Sequence, residues 1–203
     1  MTNTIQFALF FKEGTVYNPT KISSKIIDKL SIIGNPIILP IDTNAPKEAN
    51  IPIIVFNQNV NFQVTLNFNN IIISLKDECI NDFIDIINVF FDIFSGDNIS
   101  FVRLGYLPTF ILDKNSLEQF KNEYLKSDVF SDVADFQFSW MKKLSLRDIN
   151  VNCWERNITD LNKNDGLIKM FDFNTNSNDV LDISKKFIKE FIEFCNKYVD
   201  SRK

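Results

Sequence analysis

No histidine occurs anywhere in the 203 residues. Its absence removes Ser-His-Asp and Cys-His catalysis, the common zinc hydrolase sites and the usual general base near neutral pH. Glycine and proline are scarce, at 5 and 6 copies, which speaks against a disordered chain and against glycine loops that cradle phosphates. The three cysteines, Cys79, Cys153 and Cys195, are odd in number, widely spaced and set in apolar segments. That is the pattern of buried thiols and not of a disulfide framework or a zinc site. Walker A, dinucleotide, nucleophile-elbow and kinase motifs are all missing. The sequence therefore points to no catalytic residue, no metal site and no cofactor, and to a protein that is not an enzyme.

Positive charge is also short. Twenty-two basic residues face 26 acidic ones, for a net charge of −4, and no long Lys/Arg run appears. Nucleic-acid binders draw most of their affinity from neutralised phosphates, so direct non-specific nucleic-acid binding is disfavoured. The expected partner is another protein or a ribonucleoprotein, with a basic surface such as a nucleic-acid channel a natural match. No apolar run approaches the ~18 residues that span a bilayer. Met1 to Thr4 offer no positive n-region, and no small-residue cleavage site follows. A cytoplasmic protein without membrane contact is expected.

What the chain has in quantity is phenylalanine, 21 copies within a 45% hydrophobic composition. With abundant Ile, Asn and Lys, this is the signature of an AT-rich coding genome more than of a special chemistry. Ile5 to Phe11 reads as a buried strand. Asn18-Pro19 reads as a helix start, with Asn as cap and Pro at the first helical position, followed by Ile22, Ile26 and Leu30 up to Gly34. Pro36 to Ile41 and Ile51 to Phe56 suit edge strands or extended connections, with a polar loop from Asp42 to Asn50 between them. Phe62, Val64, Leu66 and Phe68 alternate with polar residues, and Asn69-Asn70 would turn the chain into Ile71 to Leu75 as a hairpin.

Ile80 to Phe94 is a helix that is apolar except for Asn81, Asp85, Asn88 and Asp92. It is therefore buried over most of its circumference. Ile99 to Leu112 is a long strand bent near Gly105 or Pro108, and Ser116 to Leu125 a short helix. Alternation around Phe136 to Trp140, Ile149 to Cys153 and Leu167 to Phe173 gives three more strands. Asp182 opens a final helix with Phe187, Phe191, Cys195 and Tyr198 inward.

Residues 1–97 and 98–203 thus share a β-α-β-β-β-α order, a pseudo-repeat within one compact unit. The fold class is α+β: a curved antiparallel sheet with helices on one face. This layout resembles the duplicated saddle of TATA-binding protein and its helix-grip relatives, a likeness of fold that carries no function. Arg103-Leu104-Gly105-Tyr106 is similar to the Arg-x-Gly-x-Arg-Tyr strand motif of an uncharacterised prokaryotic family, sporadically distributed and often found on mobile elements. Arg103 and Gly105 match, whereas Leu107 and Pro108 stand where the second Arg and the Tyr are expected. Met170 to Phe173, before the last helix, resembles that family's acidic, apolar-alternating motif. The resemblance implies no activity and places the chain among mobile-element, phage or host-conflict genes.

Four residues are candidate binding positions: Trp154, Arg156, Arg103 and Tyr106. Trp154 and Arg156 share one side of a strand and could clamp a planar ligand or a partner side chain. The favoured alternative is a Trp packed under a helix with the Arg lying across it. Arg103 suits a structural ion pair with Asp172 or Glu155 better than an anion site. Asp77, Glu78, Asp82, Asp85 and Asp92 read as a solvated helix face and not as a magnesium cluster. Asp113, Asp165 and Asp172 read as turn or edge residues.

The expected function is non-enzymatic macromolecular interaction, as a component or inhibitor of a prokaryotic defence system. The rival is a small-ligand or nucleotide-binding protein, or an unusual carboxylate/metal enzyme. Because folding should rest on neither zinc nor a disulfide, thermal melting is expected to be unchanged by EDTA or by a reductant. A large drop with either would overturn the reading of the cysteines as core thiols.

Overall fold

The computed structural model describes residues 2–30, 36–39, 52–59, 61–76, 83–125, 135–160, 166–176 and 183–202. The expectations for Gly34, Asp42 to Asn50, Asp77 to Asp82 with Cys79, Asp165 and Asp182 lie outside them. Strands β1 (Thr2–Phe11), β2 (Ile37–Ile38), β3 (Pro52–Asn59), β4 (Phe62–Asn67) and β5 (Asn70–Lys76) accompany helices α1 (Pro19–Lys29) and α2 (Phe83–Ser95). Strands β6 (Phe101–Leu112), β7 (Gln137–Leu146), β8 (Ile149–Asp160) and β9 (Gly166–Thr175) accompany α3 (Lys114–Tyr124) and α4 (Lys185–Asp200). All nine strands form one antiparallel sheet in the order β2-β3-β4-β5-β1-β6-β9-β8-β7.

From the central pair β1–β6, the sheet runs outward as β5-β4-β3-β2 on one side and as β9-β8-β7 on the other. The first half therefore carries one strand more than the expected order, because the two residues Ile37–Ile38 pair with β3 at the outer edge. The second half has the expected β-α-β-β-β-α order.

Local chemistry sets the elements. Asn18 caps α1 by accepting from the Lys21 N–H at 3.1 Å, with Pro19 at the first turn, where its missing N–H costs nothing. Asp113, expected only as a turn residue, caps α3 by accepting from the Ser116 N–H at 2.9 Å. This bond, with the Ser116 hydroxyl beside it, holds the Asp113 carboxyl below its ordinary range. Ser184 caps α4. After α2, Asn98 enters the left-handed region at φ 59°, a conformation that asparagine tolerates. The adjoining Asp97 carboxylate takes Lys21 and Lys25 at 2.6 Å each, tying α1 to the end of α2. The β4–β5 hairpin is present, but Phe68 and Asn69 form its turn and Asn70 already belongs to β5.

The core lies on one face of the sheet. Phe7, Phe11, Phe101, Tyr106, Phe171 and Phe173 are all 5% exposed or less, and α2 and α4 lay Phe90, Phe94, Phe191 and Ile188 against them, each fully buried. Some neighbouring rings meet edge-on or tilted, as Phe7–Phe83 at 5.9 Å and Phe11–Phe94 at 5.1 Å, and others stack, as Phe171–Phe173 at 6.3 Å, offset geometries that suit aromatic quadrupoles. A second cluster gathers Leu117 and Phe120 of α3 over Phe136 and Leu167. Gly166 admits no other residue, since a Cβ there would sit 2.3 Å from the Leu112 carbonyl oxygen. Along β6, the residue pairs to β9 lapse at Leu107 and Pro108 and resume at Thr109, because proline has no N–H to give.

Burial also shapes the pH response. It pushes the Cys153 thiol up to about 12 and the Cys195 thiol well above its ordinary value. The phenols of Tyr17 and Tyr106 are raised as well, again chiefly by burial. All four stay protonated in the native state while their unfolded counterparts ionise near pH ~9 to 10. The unfolded state then binds fewer protons, so stability falls with rising pH. Melting temperature should be flat between pH ~6 and pH ~8 and decline above pH ~9. A Cys153→Ala/Cys195→Ala variant should show a shallower decline at the start of that range, and an unchanged slope would show that the thiols do not contribute.

Candidate functional site on the open sheet face

Strand residues alternate between faces, and the register assigns each one. Phe7, Tyr106, Phe173 and Cys153 align on the helix-covered face, whereas Met141, Trp154 and Asp172 align on the other. Arg103 and Arg156 share that second face by the same alternation. The structure thus brings together three of the four candidates and separates the fourth. Tyr106 is only 2% exposed and donates its hydroxyl to Asn196 Oδ1 of α4 at 2.7 Å, a core position.

Trp154 stands 39% exposed between Met141, 42% exposed, and Asp172. The favoured sequence reading, a Trp under a helix, is overturned, because Trp154 lies on the face opposite the four helices. Arg156 reaches across β8–β9 to Asp172, Nη2 to Oδ2 at 3.4 Å. Asn174 donates to the other oxygen of the same carboxylate. Trp154 and Arg156 therefore form one side-by-side pair, with the arginine oriented by a carboxylate.

Arg103 lies further along this face. Its guanidinium sits 3.9 Å from the ring centroid of Phe10, its cross-strand neighbour, a cation–π contact. Its Nε is buried without a hydrogen-bond partner. Burial lowers its pKa and the charge of Asp172 opposes that shift. No described carboxylate comes within 4.0 Å, so the expected structural ion pair is not formed among the described residues. Arg103, Asn152, Asp172, Asn174, Thr175 and Asn176 line an open polar depression of about 500 Å³.

Charge is unevenly divided. The open-face strand positions carry Lys76, Arg103, Lys143 and Arg156 against Asp160 and Asp172. Four cations less two carboxylates leave +2, on a chain whose net charge is −4.

Between Trp154 and Arg156, Glu155 turns to the helix side and is 2% exposed. It meets Lys169 at 3.7 Å and Arg202 at 3.5 Å, and accepts from Trp140 Nε1 at 3.2 Å. Lys169 also donates to the Arg202 carbonyl at 2.6 Å, fastening the end of α4 to the sheet. Burial is the main cause that lowers the Lys169 pKa. Sequence reading singled out neither this network nor Met141. Alternation placed Glu155 opposite Trp154, but its partners come from distant segments.

Among the described residues no group of three or more Cys, Asp or Glu is placed to hold a metal ion. No described helix is long and apolar enough to cross a membrane. The chain matches no protein-family model and no curated protein.

The two faces make opposite demands on adjacent residues. Trp154→Ala is expected to change unfolding free energy by less than about 1 kcal/mol, as a surface truncation. Glu155→Ala should cost about 3 kcal/mol, because it leaves Lys169 and Arg202 without their carboxylate. Urea titrations of the two variants check this, and equal losses would refute the assignment of faces.

Proposed function

We propose that this chain is a non-enzymatic interaction protein whose open sheet face binds another protein or a ribonucleoprotein around Trp154 and Arg156. The observation that carries the reading is Trp154, 39% exposed on the face opposite the helices, beside an arginine already oriented by Asp172. Trp and Arg dominate interface hot spots because they combine large burial with directional hydrogen bonds. Fixing Arg156 beforehand reduces the ordering cost of binding. We read the matching outward strand orders as an internal duplication, resembling the saddle of TATA-binding protein and helix-grip folds. That analogy concerns fold alone. The likeness at Arg103 and Gly105 to a mobile-element family supports a role as a component or inhibitor of a prokaryotic defence system.

The depression at Arg103 favours a second reading, a small-ligand or nucleotide site. The Arg103 guanidinium, with no described carboxylate within 4.0 Å, and the flanking Asn152 amide offer donors to an anion.

Affinity purification from the native host separates the two. A stoichiometric protein partner is expected, and Trp154→Ala or Arg156→Ala should weaken its binding by about 2 kcal/mol or more with melting unchanged. Unchanged binding by the folded variants would remove this patch. A co-purifying nucleotide or metal, lost in Arg103→Ala, would favour the second reading.

A further inference from the structure

The far edge of the sheet carries a separate feature. Among the described residues, strand β7 pairs only with β8 and ends the strand order. Its register with β8 runs without a bulge from Gln137 to Leu146, and no proline or glycine interrupts it. Every second residue of such a strand turns its N–H and C=O outward, in regular order. Short strands, bulges, prolines and edge lysines are the usual means of blunting an edge; of these β7 has only Lys142 and Lys143, which repel a basic or identical strand and leave the edge open to an acidic one. The opposite edge, β2, is two residues long.

The charge of this edge is one-sided. Gln137 to Leu146 contain Lys142 and Lys143 and no acidic residue. Both lysines are exposed, and no described carboxylate lies within ion-pairing distance of either. Lys142 is on the helix side, 5.9 Å from the Tyr198 ring, and Lys143 is on the open side. Apolar surface adjoins them: Phe138, Met141 and Tyr124 are 36%, 42% and 47% exposed.

From this we infer that the β7 edge accepts an extended acidic segment of a partner protein as a tenth, hydrogen-bonded strand. Backbone bonds along β7 supply the register. Aliphatic side chains of the segment pack on Phe138 and Tyr124, and its carboxylates meet Lys142 and Lys143. This is strand addition to an exposed edge, where backbone bonds give affinity and alternate side chains give specificity. A second copy of the chain is a poor occupant. Antiparallel self-pairing of β7 in its well-overlapped registers sets the four lysines opposite or diagonal to one another, and like charges so placed are destabilising. The inference does not depend on the open-face patch, since it uses the backbone edge and not Trp154.

The test uses the whole chain and a short synthetic peptide that joins a valine-rich half, for Phe138 and Tyr124, to an adjacent pair of glutamates, one for each face, for Lys142 and Lys143. Binding is followed by fluorescence anisotropy and by hydrogen exchange of the β7 amides. The acidic peptide should bind at least about tenfold more tightly than its lysine counterpart and than the same peptide N-methylated at alternate residues. It should slow exchange across Gln137 to Leu146. K142E/K143E should weaken binding about tenfold without changing melting, and Trp154→Ala should bind as the parent does. No binding, equal binding of the lysine or N-methylated peptide, or unprotected β7 amides would overturn the proposal. So would loss of binding in Trp154→Ala with none in the lysine variant, which would transfer the site to the open face. A dimer that buries β7 in the free protein would overturn it as well.

Discussion

Everything in this molecule depends on burying one face of a nine-stranded sheet under four helices. The rings of Phe7, Phe11, Phe101, Tyr106, Phe171 and Phe173 line that face across the β1–β6 seam, so both halves share a single core. Burying a large aromatic side chain stabilises by about 1.5 to 3 kcal/mol, and 13 of the 21 phenylalanines are buried in this layer. The price is a second face that the same helices cannot reach. There the strands carry Gln6, Thr65, Ser74, Asn152 and Asn174, residues that water can serve, interspersed with Phe10, Ile72, Leu107, Ile158, Trp154 and Met141.

Local patterns made much of this architecture readable. Alternation at Phe62 to Leu66 identified β4, Asn18-Pro19 marked the start of α1, and the apolar run around Phe83 to Phe94 identified α2 as a buried helix. The failures are those of long-range partnership. Phe68 continues the alternation of β4 in sequence, yet the hairpin closes one residue earlier than expected, with Asn70 opposite Phe10. No local signal says whether Trp154 meets a helix, because that depends on which face the helices occupy. Arg103 and Tyr106 are three residues apart on a strand and must face opposite ways, so a motif that joins them in sequence divides them in space.

The distribution of charge qualifies the reading from net charge. An overall −4 disfavours polyanionic partners only if the charges are mixed, and here the open face is locally positive. Long-range steering follows the whole molecule, whereas docking follows the patch, and fields between exposed charges fade over about 8 Å at physiological salt. A locally basic sheet face on a chain of net negative charge would therefore orient an approaching partner as well as attract it.

The central position of β1 has a consequence for biosynthesis. This strand, among the most apolar in the chain, is made before both of its neighbours, Asn70–Lys76 on one side and Phe101–Leu112 on the other. Pairings this distant are slow to form, because the loop entropy must be lost before the contacts are gained. During translation the segment from Ile5 to Phe11 emerges from the ribosome long before either neighbour exists. Such a strand is what chaperones that bind extended apolar segments recognise, and what nascent chains on adjacent ribosomes can pair with wrongly. The seam that unites the finished protein is thus its most vulnerable stretch while it is being synthesised.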